Sequence, residues 1–254
     1  MKQFLSVFFT LFLLIYSSTT SPAQEIIFPV NHFPPWKMVD TQDRISGINI
    51  DIANLLLSQL GLKAKYINRP WKRCMLMIEQ GTADIMNGLL KHPEREKFMI
   101  FLEPPYKTKS TKAFYVLKGN AGKIKSYEDL RNLNIGVTLG TKFFPRFDND
   151  KHLQKDIASN AITNFKKLLA GRINTFILTE TVGDYLLFKH GYQDRIEKAE
   201  YSYAQPIPVY FAVSPKSPLA ERIPELNAAL KKIVESGQVQ KTIDNFMDNI
   251  QTSF

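Results

Sequence analysis

Cysteine is almost missing from this chain. Cys74 stands alone, so no internal disulfide can form. It sits in the apolar run CMLMI with no histidine arranged beside it, and it reads as a buried, inert thiol rather than a nucleophile. Histidine is scarce too: His32, His92, His152 and His190 lie far apart, without metal-ligand spacing. There is no G-x-S-x-G, no H-E-x-x-H and no paired cysteine set, and the stretch from Gly136 to Lys142 fails the P-loop pattern. The common nucleophile, zinc and nucleotide signatures are therefore excluded, and neither a cofactor nor a metal is expected. Internal repeats, low-complexity tracts and long linkers are lacking as well. After Tyr16 no second apolar run reaches spanning length, so a soluble mature chain is expected.

What is present begins with a leader. Lys2 is the one charge before Glu25, Phe4 to Tyr16 is nearly unbroken apolar sequence, and Ser21-Pro22-Ala23 offers small residues for cleavage. Residues 1–23 read as a secretory signal peptide, and the expected location is the periplasm. No cysteine follows the cleavage site, so lipid attachment is not expected. The formal charge of +9 could attract nucleic acid. The basic residues are scattered among acids, however, as on a solvated surface, and export removes the chain from cytosolic nucleic acid. A weak pull toward anionic ligands or envelope surfaces is the better reading.

The order of elements implies two α/β units. EIIFPV reads as a strand, IDIANLLLSQLG as an amphipathic helix stopped by Gly61, KAKYIN as a strand, Trp71 to Gln80 as a helix stopped by Gly81, and ADIMNGL as a strand ending at Gly88. The pattern then restarts with the short helix SYEDLRNL (Ser126 as N-cap), the strand NIGVTL, a helical or turn segment from Gly140-Thr141, the helix NFKKLLAG, the strand NTFIL and the helix ETVGDYLLFKHG. The last third is a proline-bracketed strand, PIPVYFAVS, and two helices around Gly237, which have no strand of their own and should return to cover the first unit. Thr111–Leu117 and Pro206–Val213 would then cross between lobes, giving lobe 1 as 24–112 plus 212–254 and lobe 2 as 113–211. A cleft between two such lobes, at strand ends, is where a ligand would sit.

Several residues suit that cleft. Arg95 follows the strand ADIMNGL after a turn, and arginine is a rigid bidentate clamp for carboxylates. A solvated side chain beside Glu94 and Glu96 fits the spacing equally well. Gly140 and Thr141 stand where a helix N-terminus would offer free N–H groups to an anion, although an ordinary turn fits too. Trp71, just after Pro70, and Phe33 and Trp36 in HFPPWK could each wall the site or plug the core, with Trp71 the better placed of the three to meet a ligand. Arg69 and Arg73, flanking Trp71, read as surface charges.

At these residues the chain resembles the bacterial extracellular solute-binding proteins of family 3. The resemblance runs through HFPPW, Gly47 and Asp51 of G-x-x-x-D-I-A, EQGTADIMNGL, PEREK, FMIFLEPPY, DLRNLNIGVTLGT, AGRINTFILTE and the helical tail LNAALKKIVESGQVQKTIDNF. Each piece is weak by itself, and the ordered set is specific. It implies an α/β, periplasmic-binding-protein-like fold of two lobes joined by two crossing strands (type II), closing on a ligand. It also implies that Arg95 clamps a ligand carboxylate, that Gly88 offers backbone, that Thr141 completes the carboxylate site, and that Phe33 and Trp71 form aromatic walls. Two positions depart from the family pattern. Leu90 stands where Ser or Thr is frequent, and Thr179, with Glu180 beside it, stands where an Asp holds the ligand ammonium.

The expectation is a monomeric periplasmic protein that captures a small carboxylate-bearing ligand, an amino acid or related organic acid, and delivers it to the membrane permease of an ABC transporter, with no nucleic acid partner. The alternatives are a dehydratase-like enzyme on the same fold, with His92, Glu94 or Glu180 as acid, and a ligand-sensing partner of a membrane receptor.

Overall fold

The computed structural model describes residues 25–252. The expected signal peptide lies outside the described residues. In chain order the elements are β1 (Ile26–Val30), β2 (Met38–Val39), β3 (Ile45–Ser46), α1 (Ile48–Ser58), β4 (Ala64–Asn68), α2 (Trp71–Gln80), β5 (Ile85–Leu89), α3 (Pro93–Glu96), β6 (Ile100–Phe101), β7 (Lys107–Leu117), β8 (Asn134–Thr138), α4 (Pro145–Asn149), β9 (Gln154–Ala158), α5 (Ala161–Leu169), β10 (Thr175–Thr179), α6 (Glu180–Lys189), β11 (Ile196–Val213), α7 (Ile223–Glu235) and α8 (Gln238–Thr252).

The local chemistry of α2 accounts for its position. Pro70 cannot donate an N–H and stands just ahead of the first turn. Cys74, Met77 and Ile78 recur at helical spacing and are buried, and Gly81 closes the helix in the left-handed region at φ 78°. The Cys74 thiol is buried as expected, and burial pushes its pKa up.

Two bodies of core follow from the pairing. β1 pairs in parallel with β4, and Asp84 N–H donates to Ile27 O at 2.9 Å, tying the entry of β5 to β1. One apolar cluster takes β1, α1, α2 and β5 together with Tyr210–Val213 of β11 and with α7 and Val239 of α8, so the C-terminal helices do return to the first unit. The second unit is a sheet in the order β7-β10-β8-β9, with one apolar cluster on Phe114, Phe147 and Ile177 and another on Tyr115, Phe165 and Phe176. Each fully buried large side chain contributes about 1.5–3 kcal/mol. β7 and β11 run antiparallel to one another, with register pairs from Val209↔Lys107 to Ile196↔Leu117, and they pass from one core to the other.

Three local expectations change. Residues 154–158 form a strand, β9, that pairs in parallel with β8; its polar sequence QKDIA carries no apolar run. β11 begins ten residues before the proline-bracketed segment, because IEKAEYSYAQ alternates exposed and covered positions along β7. Gly140-Thr141 does not start a helix. Thr141 N–H closes a turn onto Thr138 O at 3.0 Å, and α4 starts at Pro145 with Phe144 as its cap.

Candidate functional site

The cleft is built first from the turn after β1. Phe33 and Lys37 exchange backbone hydrogen bonds (2.7 and 2.9 Å), with the two prolines and Trp36 between them. Gly47 locks this turn onto α1. It holds φ 122°, and a Cβ there would meet Pro35 O and Trp36 O at 2.8 Å. That close approach lets Asn49 N–H donate to Trp36 O at 2.8 Å. Trp36 and Lys37 are thereby buried, whereas Phe33 stands out at 54 % exposure.

A cavity of about 390 Å³ lies between the two units. The first unit lines it with Asn31, Phe33, Trp36, Lys37, Asn49, Trp71, Gly88 and Leu90. The crossing strands add Lys107, Ser110, Lys112, Ile207 and Val209, and the second unit adds Thr179 and Val182. Thus Phe33, Trp71, Gly88, Leu90 and Thr179, all singled out in sequence, come together.

Arg95 borders this group. The short helix α3 presents its guanidinium so that Nη1 donates to Leu90 O at 2.8 Å, with Cζ 5.5 Å from the Trp71 ring centre. Its sequence neighbours do not neutralise it: Glu94 pairs with Lys97 at 2.8 Å and Glu96 with Lys91 at 3.6 Å. Burial pulls the Arg95 pKa down, with no acid acting against that.

Gly140, Thr141 and Glu180 are elsewhere. Gly140 and Thr141 are exposed and do not line the cavity. The Glu180 carboxylate accepts from Lys198 Nζ at 2.8 Å, and its backbone carbonyl accepts from Tyr115 O–H at 3.0 Å. It is therefore taken up by the second unit's own network.

The lysines are what the sequence reading missed. Lys37 is 3 % exposed; its Nζ donates to Asn31 Oδ1 (3.2 Å) and Asn87 O (3.1 Å) and lies 5.9 Å from the centre of the Trp71 ring. Burial lowers its pKa to about 8, so holding its charge costs on the order of 3 kcal/mol. Lys107 Nζ lies 4.5 Å from the Trp36 ring centre, and burial together with the charge of Lys112 lowers its pKa to about 8. Lys112 Nζ donates to Thr179 Oγ1 at 2.8 Å and Ser110 Oγ at 3.3 Å; burial lowers its pKa, and Asp148 opposes this from a distance. No aspartate, glutamate or histidine is among the residues lining the cavity.

A sequence signal for Lys37 existed in its place directly after the aromatic turn HFPPW. The signal in KTKSTK was masked. Lys107, Ser110 and Lys112 all reach the cavity although strict alternation would split them. Pairing with β11 slips by one residue between Pro206 and Val209, with the extra residue on β11, beside these positions.

Two α/β units, two antiparallel crossing strands and a walled cavity between them define a protein that holds a solute in a cleft. The profile of the bacterial extracellular solute-binding proteins, family 3, matches residues 26–249, and the chain belongs to that family. It is similar to the arginine-binding periplasmic protein of Mannheimia haemolytica (26 % identity, covering 90 % of this chain and 93 % of that one). It is also similar to the ABC transporter arginine-binding protein 1 of Escherichia coli K12 (25 % identity, 89 % and 92 %). Among solved structures, the open substrate binding domain 2 of Lactococcus lactis GlnP superposes with a TM-score of 0.70 at 22 % identity, over 90 % of this chain and 97 % of that one.

Proposed function

We propose that this protein captures a small carboxylate-bearing solute in the cleft between its lobes and presents it to the membrane permease of an ABC transporter, in the periplasm. The observation that carries the reading is Arg95, half-buried, without a carboxylate partner among the described residues, and held against Leu90 and Trp71 of the wall of a 390 Å³ cavity. A guanidinium in that setting gains a charge-assisted, bidentate partner when a carboxylate arrives. The family membership and the transporter names of its relatives support the delivery role. Among the described residues no helix is long and apolar enough to cross a membrane, which agrees with this role.

Capture is favoured over a dehydratase-like reaction by the family and by the binding-protein names of its relatives. The Glu94 and Glu180 carboxylates face Lys97 and Lys198. Thermal-shift screening of the full chain against amino acids and organic acids tests the reading, because a ligand that binds the native state raises its melting temperature. A stabilising carboxylate recovered chemically unchanged is the expected result. Turnover of that compound, or stabilisation by uncharged solutes alone, would replace the reading.

A further inference from the structure

We propose that the cleft selects solutes bearing two or more separated negative charges and turns away those with a cationic group. The inference rests on the reading that this cleft is the ligand site, and it adds the charge of the ligand. Its basis is the placement of cations around one cavity. Lys37 lies beneath Gly88 in the first lobe; a Cβ on that glycine would come within 3.3 Å of the lysine Nζ. Arg95 stands at the rim of the same lobe, against Trp71. Lys107 and Lys112 approach from the crossing strand β7, and the second is fastened to Thr179 at the end of β10 in the other lobe. A solute reaching from one lobe to the other therefore meets a cation at each end.

Among the described residues no acidic side chain lines the cavity beside these cations. The carboxylate felt by these groups is Asp148, which acts on Lys112 through space. Buried charges left without a partner are costly, so a ligand that brings the missing anions recovers that cost on binding. A ligand cation finds the reverse. Two of the cavity's aromatic faces already hold protein cations, Lys107 over Trp36 and Lys37 and Arg95 by Trp71, which leaves Phe33 as the exposed ring on the wall. The names of the arginine-binding relatives therefore do not describe this cleft. The apolar remainder of the wall (Leu90, Val182, Ile207, Val209) suits a short hydrocarbon spacer between the charged ends. Both a dicarboxylate and a phosphate-bearing carboxylate have this chemistry.

The test is titration calorimetry on the full chain after unfolding, dialysis and refolding to remove any co-purified solute. Succinate and glutarate probe the dicarboxylate arm, phosphoglycolate the phosphate arm, and butyrate, L-glutamine and L-arginine are the comparisons. The expected result is that at least one dianion binds ~10-fold or more tightly than butyrate, as one added charge-assisted contact implies. L-arginine should give no heat of binding. Lys112→Met and Lys107→Met should each weaken the dianion several-fold more than butyrate and so remove most of that preference, while Lys112→Arg retains it. Lys107→Met keeps the test open if Lys112→Met does not fold. L-arginine or L-glutamine binding as tightly as the best dianion would overturn the charge inference and leave a carboxylate-capturing cleft in place. The same holds if both methionine variants keep full dianion affinity. Silence from every probe would overturn the inference and the capture reading together.

Discussion

Lys112 Nζ and Thr179 Oγ1 are 2.8 Å apart, joining the crossing strand β7 to the end of β10 at the floor of the cleft. A neutral hydroxyl at residue 179 can receive the ammonium of a neighbouring strand. A carboxylate there would form an ion pair with Lys112 and cancel the charge that the cleft now directs at its contents. Thr179→Asp should therefore weaken binding of a stabilising carboxylate by ~10-fold or more, with little change in melting temperature. Calorimetry on the variant checks this, and unchanged affinity would mean that Lys112 does not act on the ligand.

Arg95→Ala should cut affinity for a carboxylate ligand by ~10- to 100-fold, the range for removing one charge-assisted hydrogen-bonding group. Fold stability should change by under ~1 kcal/mol, since the side chain is half-buried and makes one hydrogen bond to backbone. An unaltered dissociation constant would take Arg95 out of the site.

Gly88 holds φ 81°, and a methyl group there would sit 3.0 Å from Asn49 Nδ2 and 3.3 Å from Lys37 Nζ. Gly88→Ala should destabilise the fold by about 1–2 kcal/mol through backbone strain. It should also reduce ligand affinity by displacing Lys37. Urea unfolding and calorimetry read the two effects separately, and a variant with native stability would contradict the strain.

The pH response has opposite signs for stability and for binding. Lys37 and Lys107 ionise near 8 in the fold and near 10.5 in the unfolded chain. Their charged forms cost stability below the folded value, and that cost is relieved as pH rises from about 8 to 10.5. Of the groups around them, Cys74 bears on Lys37 and Lys112 on Lys107. Wild type should gain about 2 kcal/mol per lysine relative to the Lys37→Met, Lys107→Met double variant between pH ~7 and ~9.5. Affinity for an anion should fall over the same interval as the ammonium groups lose their protons. Parallel movement of both quantities would mean that these lysines do not face the ligand.

In the second lobe, Gly183 on α6 lies against the Tyr115 ring, whose hydroxyl shares its one proton between Asp184 Oδ1 at 2.9 Å and Glu180 O at 3.0 Å. No space exists for a Cβ. Gly183→Ala should cost roughly 3 kcal/mol or more, the scale of overpacking a rigid core. Thermal melting would show it, and a fall of less than ~2 °C in melting temperature would contradict this packing.

Taken alone, the amino-acid order determined the alternation of strands and helices, the stop at Gly81 and the return of the C-terminal helices, because apolar periodicity and turn residues act over a few neighbours; the gathering of Phe33, Trp71, Gly88 and Thr179 was legible only through the family resemblance. Arg95 was legible as a candidate beside its alternative, a solvated side chain next to Glu94 and Glu96; tertiary structure shows those two acids paired with Lys97 and Lys91. Tertiary structure alone decided the charge of the cleft. Lys37, Lys107 and Lys112 are separated by as many as seventy-five positions and look like ordinary surface lysines in the string. Packing against partners remote in sequence brings all three to one cavity and buries Lys37 and Lys112. Burial and facing are properties of what packs around a residue, which no local pattern encodes.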